Sequence, residues 1–158
     1  MALSIEAQFM MAANENTEDS LLANGSRCVS TAIRKAARRA TQFYDKALAG
    51  TGLRSTQFAI LAELKRAGNI SCLGDLADLL VLERSALGHS LRPLEREGLV
   101  VIRADGADKR KRIVEMTREG LMRHAATEVK WRLAQESFVD VIGPSRPLKK
   151  ALAHMLLS

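Results

Sequence analysis

Few side chains in this sequence are spaced for bond-breaking chemistry. The three histidines, His89, His124 and His154, have no partner at catalytic spacing. There is no phosphate-binding glycine loop, no nucleophile motif and no cluster with metal-ligand spacing, so neither an enzyme nor a cofactor is expected. The residues that could act are long cations and small polar groups, gathered in two places. The turn at 104–112 carries Asp108, Lys109, Arg110, Lys111 and Arg112, and the segment 83–97 carries Arg84, Ser85, Gly88, His89, Ser90 and Arg92. Their chemistry is recognition. Serine bonds to several base edges, arginine suits the O6/N7 pair of guanine, and a glycine between them removes bulk where a surface must come close. A long cation at the tip of a narrow turn suits a minor groove, which is only ~6 Å wide and strongly negative. Asp108 is the wrong charge for such a partner, unless it orients a neighbouring arginine.

The elements that position these groups follow from periodicity. Residues 99–103 and 112–116 read as two short strands, so the basic turn is the tip of a β-hairpin too charged to be buried. In 83–97, Leu87, Leu91 and Leu94 share one helical face while Ser85, Gly88, His89 and Arg92 share the other. Gly98 is placed to end this helix in the left-handed conformation. Pro93 predicts a bend near 89–93 within a single helix, which puts the polar face mostly ahead of it. A short helix at 73–80, capped by Ser71 and with Asp75 in its first turn, precedes a tight break at 80–82. Two helices joined by so short a turn make a helix-turn-helix with the second as reader. Ile70 is expected as a lone bridge strand beside the hairpin.

Around this middle lie longer helices. A first, over 26–49, has Val29, Ile33, Ala36, Ala37, Ala40, Tyr44, Ala47 and Leu48 at helical spacing. A second covers 55–67 with Ser55 as N-cap. Thr117 caps a long helix to about 142, Gly143-Pro144 breaks it, and a last helix over 146–157 carries Leu148, Ala151, Leu152, Met155 and Leu156 on one stripe. The fold class is therefore mainly α with a small β-hairpin. Four segments are expected: a flexible arm at 1–25, a dimerisation helix at 26–52, a winged lobe at 53–117 and C-terminal dimerisation helices at 118–158. Apolar stripes outside the local core point to a homodimer with a two-fold axis.

The chain has 158 residues and a formal net charge of +6, with 24 Lys and Arg against 18 Asp and Glu. The cations cluster at Arg27, Arg34, Lys35, Arg38, Arg39 and Lys46, and again from Arg84 to Arg112, which suits a polyanion such as nucleic acid or an anionic membrane, and equally a solvated surface on charge alone. No apolar run approaches the ~18 residues of a membrane span. The acidic N-terminus does not resemble a secretory signal. Two cysteines without metal or disulfide spacing suit a reducing cytoplasm. Cys28, at a helix start beside Arg27, has the setting of a low-pKa thiol and is a candidate oxidation sensor.

Asp108-Lys109-Arg110, followed by Val114-Glu115-Met116-Thr117 and Gly120, resembles the wing signature of the MarR family (multiple antibiotic resistance regulators). Leu53-Arg54-Ser55-Thr56-Gln57-Phe58-Ala59-Ile60-Leu61 resembles its second helix, and Leu76-Ala77 its third. Leu91-Arg92-Pro93-Leu94-Glu95-Arg96-Glu97-Gly98-Leu99-Val100 resembles its reading helix and first wing strand. The likeness covers about 27–157. It implies a winged helix-turn-helix homodimer on a pseudo-palindromic operator in double-stranded DNA, a repressor released by a small ligand or by oxidation. It assigns Arg110 to the minor groove, with Asp108 as its orienting partner, and Ser85, Gly88 and His89 to the major groove. The family often has Thr or Arg where this chain has Gly88 and His89, which bears on which bases are met rather than where. The resemblance also implies an effector site between the dimer helices and the DNA-binding lobe. For it the chain offers Phe43, Tyr44, Phe58, Phe138, and Trp131 one turn from Gln135, with Arg34, Arg38 or Arg39 for a carboxylate. The alternatives are oxidation sensing through Cys28, and a winged module that binds protein instead of DNA.

Overall fold

The computed structural model describes residues 28–142 and 145–157. The arm at 1–25, Arg27 and the Gly143-Pro144 break lie outside the described residues. The elements run α1 (Val29–Ala47), α2 (Ser55–Arg66), β1 (Ile70–Cys72), α3 (Leu73–Leu79), α4 (Arg84–Arg96), β2 (Val100–Ala104), β3 (Arg112–Met116), α5 (Arg118–Ile142) and α6 (Ser145–Leu157). They group into two compact units. One is 48–130; the other joins the described residues up to Ala47 with those from Trp131 onward. No described helix is long and apolar enough to cross a membrane.

The 48–130 unit has a closed apolar centre. Leu61 and Leu64 of α2, Leu76 of α3, Leu87, Leu91 and Leu94 of α4, and Leu99, Val100 and Val114 of the hairpin region are essentially inaccessible to water. The sheet is antiparallel in the order β1-β3-β2. Val101 and Ile70 both face Glu115 in register, while Val100 faces Met116. The alternation puts Val100, Val114 and Met116 inward and leaves Val101 and Glu115 outside. Ile70 is thus the start of a three-residue strand, not a lone bridge.

Strand formation also displaces the expected cap of α3. Ser71 is inside β1, and Cys72 takes the N-cap position. At α2 the N-cap is Arg54 rather than Ser55, because the Gln57 side-chain oxygen accepts the Arg54 backbone N–H at 2.8 Å. Ser55 is instead buried in the first turn. Thr117 caps α5 as expected: its Oγ1 accepts the Gly120 N–H at 3.0 Å and donates to the Gly98 carbonyl at 2.7 Å. Gly120 itself lies so close to the Leu99 carbonyl that a Cβ could not fit, so this glycine lets α5 start against the hairpin.

Helices α2, α3 and α4 end in the same way. The residue after the C-cap turns left-handed and donates back to the helix, and the next residue donates to the carbonyl five residues before it. The pairs are Gly68 to Lys65 with Asn69 to Leu64, Val81 to Asp78 with Leu82 to Ala77, and Gly98 to Glu95 with Leu99 to Leu94. At the left-handed position φ is +81° for Gly68, +52° for Val81 and +70° for Gly98.

The second unit holds a small cluster. Phe43 and Tyr44 of α1 pack with Ala134, Trp131 and Phe138 of α5. Helix α1 starts at Val29, and Cys28 offers its carbonyl to the N–H groups of Thr31 and Ala32. The helix closes at Ala47, two residues earlier than the periodicity predicts, because 48–50 form a turn ending in left-handed Gly50.

Candidate nucleic-acid interface

The three leucines of α4 anchor it in the core and so fix which face looks out. Ser85, His89 and Arg92 are exposed, and Gly88 is half-buried beside them. A Cβ on Gly88 would meet nothing within 4 Å. The fold does not require that glycine, although a mid-helix glycine costs about 1 kcal/mol relative to alanine. His89 Nδ1 and Arg92 Nη1 lie 3.4 Å apart, so the two side chains are held as a pair. Helix α4 continues unbroken through Pro93.

Two sequence candidates sit apart from this row. Ser90 is half-buried, three residues from Leu87 and four from Leu94, and so shares their flank. Arg84 is exposed, but its guanidinium lies over Gly74, with Nη2 3.4 Å from where a Cβ would stand. Gly74, which the sequence analysis does not single out, clears that space; a glycine one residue inside a short helix is the only signal.

The tip of the hairpin is built by its own backbone. The Asp105 N–H donates to the Lys111 carbonyl at 3.0 Å, and the Lys111 N–H to the Asp108 carbonyl at 2.8 Å. Asp108 Oδ1 accepts from the Arg110 backbone N–H at 3.0 Å and from Arg110 Nε at 3.3 Å. The carboxylate therefore holds Arg110 by its backbone and by one edge of its guanidinium, while 93% of that side chain stays open to solvent. Lys109, Lys111 and Arg112 are exposed and form no ion pair with another described residue. Four other cations of this unit are engaged locally. Lys65 pairs with Glu128, Arg66 with Glu63, Arg103 with Glu115, and Arg123 with Glu97 and Glu119. The cross-strand Arg103–Glu115 pair, formed by diagonal neighbours, was not anticipated from sequence. The tip thus gathers three exposed cations that form no such pair beside Arg110.

The residues expected to hold an effector are distributed between the units. Phe58 belongs to the 48–130 core, where its ring stacks on His124 at 4.9 Å. Phe43, Trp131 and Gln135 belong to the other unit. There Tyr44 stacks on Trp131 at 4.4 Å and donates its hydroxyl to Gln135 Oε1 at 3.0 Å. Burial pushes the Tyr44 hydroxyl pKa up. Phe43 is buried, Trp131 and Gln135 are half-buried, and Arg38 is exposed. Cys28 is exposed, and hydrogen bonding to Thr31 lowers its thiol pKa. No group of three or more His, Cys, Asp or Glu placed to hold a metal exists among the described residues.

A helix-turn-helix whose second helix shows a small polar face, followed by a hairpin with an oriented arginine at its tip, is a winged helix-turn-helix. Residues 53–111 match the model of the MarR family. The transcriptional regulator MosR of M. tuberculosis, solved in complex with DNA, is 31% identical, with 83% of this chain and 95% of MosR aligned and a TM-score of 0.75. The chain belongs to the MarR family of transcriptional regulators. A curated relative, the transcriptional activatory protein BadR of Rhodopseudomonas palustris, is 36% identical over 77 residues, which are 48% of this chain and 44% of BadR. The chain thus spans less than half the length of that relative. AbsC, a MarR family regulator from Streptomyces coelicolor, shares the fold at 21% identity and a TM-score of 0.68, with 86% of this chain and 97% of AbsC aligned.

Proposed function

We propose that the chain is a homodimeric, sequence-specific DNA-binding repressor. Helix α4 enters the major groove of each half of a pseudo-palindromic operator, and Arg110 enters the adjacent minor groove. One observation carries this reading: Asp108 Oδ1 accepts from the Arg110 backbone N–H and from its guanidinium Nε, while 93% of the Arg110 side chain stays open to solvent. An arginine held in that way gives up little conformational freedom on entering a narrow, negative groove. Ser85, His89 and Arg92 present donors to base edges. Gly88 keeps the helix slim between them.

The dimer rests on the unit that contains α1 and α6. Val29 and Ile33 of α1, and Leu148, Leu152, Met155 and Leu156 of α6, are 37–71% exposed. The α6 residues recur at helical spacing, and apolar stripes of this kind mark association surfaces. The reading extends to a small aromatic-acid effector at Trp131 and Gln135, which combine partial exposure with an aromatic face and an amide. Activation instead of repression is a second reading, favoured by the BadR match.

The test is recovery of bound fragments from sheared genomic DNA, followed by affinity measured across salt concentrations. The expected result is selective recovery and a logarithmic affinity that falls linearly with the logarithm of salt, as phosphate counterions are released. Failure to shift any fragment at low salt overturns the proposal.

A further inference from the structure

Three helices of the 48–130 unit end in one backbone motif, and at its left-handed position two carry glycine while the third carries Val81. The comparison is internal, since the hydrogen-bond pattern is the same in each case. A Cβ is disfavoured in that conformation, and a β-branched residue is a marked outlier there. The Val81 side chain gains no burial in exchange, because 72% of the residue is exposed. Leu79, two residues earlier, is 54% exposed. Leu79 closes α3, and Val81 stands in the turn that leads into α4, just ahead of exposed Glu83 and Ser85. A left-handed residue persists because the surrounding hydrogen bonds hold it, and strained positions of this kind cluster at working surfaces.

We infer that Val81 is a specificity-determining contact: its methyl groups meet the C5-methyl of a thymine where the start of α4 enters the major groove, whereas a contact to deoxyribose alone would add affinity without reading sequence. The inference rests on the DNA-binding reading above and deepens it. The N-terminal end of a reading helix is the part that approaches base edges, and apolar side chains distinguish thymine through its methyl group. Polar neighbours cannot supply that discrimination. Val81 gives the interface an apolar element that Ser85, His89 and Arg92 lack.

Val81→Gly separates the two roles of the residue. The variant relieves the backbone, so the thermal midpoint rises by roughly 2–5 °C. It also removes the contact, so affinity for the tightest recovered genomic fragment falls about three- to tenfold. Repeating the measurement with deoxyuridine in place of thymidine locates the contact. If the loss caused by Val81→Gly disappears on the substituted fragment, the contact is a thymine methyl; if it persists, the contact is a sugar and the specificity-determining role is overturned. Unchanged or tighter binding by the stabilised variant overturns the inference and leaves the DNA-binding reading intact. Absence of binding by the wild-type chain at low salt overturns both.

Discussion

The 48–130 unit and the unit built from α1, the end of α5 and α6 treat their leucines in opposite ways. In the first, Leu61, Leu64, Leu76, Leu87, Leu91, Leu94 and Leu99 are all withdrawn from water, and three helices lean on one small sheet. In the second, burial among the described apolar residues is limited to Phe43, Tyr44 and Ala134, while Leu148, Leu152, Met155 and Leu156 remain exposed. The first closes its core within one chain. The second keeps an apolar stripe open to water. The difference supports the proposal that recognition and association belong to separate parts: the self-contained unit presents the polar helix and the basic tip, and the other presents an exposed apolar stripe.

Two leucine substitutions should break the comparison if it is wrong. Leu91→Ala opens a cavity in the closed core and should destabilise it by about 2–5 kcal/mol, read as a lower denaturant midpoint. Leu152→Ala, on the exposed stripe of α6, should leave that transition within about 0.5 kcal/mol. Its effect should appear in sedimentation, as a dimer dissociation constant raised roughly tenfold or more. A loss of core stability from Leu152→Ala, with no change in association, would mean that the second unit is not built for a partner.

Much of this division is legible in the sequence, because it rests on helical periodicity. The leucines of α4 recur every three or four residues, and Gly98 and Thr117 mark the ends of their helices by their own chemistry. What escapes is set by pairing across the chain. Ser71 looks like a cap until β3, more than forty residues later, draws it into a strand with Val114. Ser55 looks like a cap because hydroxyls usually serve, yet Gln57 reaches back to Arg54 instead. Val81 carries no local signal for a left-handed residue; only the hydrogen bonds of the turn reveal it. At the interface, the Asp108–Arg110 partnership implied by the family resemblance is met in the geometry, while the offset positions of Ser90 and Arg84 depend on their neighbours.

A smaller effect sharpens the same contrast through pH. His124 is buried against Phe58, and among the described residues its Nδ1 has no hydrogen-bond partner. Burial first, then the charge of Lys65 from α2, holds its pKa below the usual histidine value, and Glu128 on its own helix opposes them. The unfolded chain therefore binds a proton at a pH where the folded unit does not. Stability from this source is full above about pH 6.5 and declines as pH falls below it, by at most about 1.4 kcal/mol per pH unit for one proton. His124→Phe should flatten the unfolding midpoint between about pH 5 and 7. An unchanged slope would place the proton uptake elsewhere.

The central claim is that an arginine oriented at the hairpin tip reads DNA, and Arg110→Ala tests it most directly. The side chain is almost wholly exposed, so its loss should leave the unfolding midpoint where it is. Affinity for a recovered fragment should drop at least tenfold, by about 1–3 kcal/mol. Equal affinity of the folded variant and the wild type, measured side by side at one salt concentration, would contradict the account.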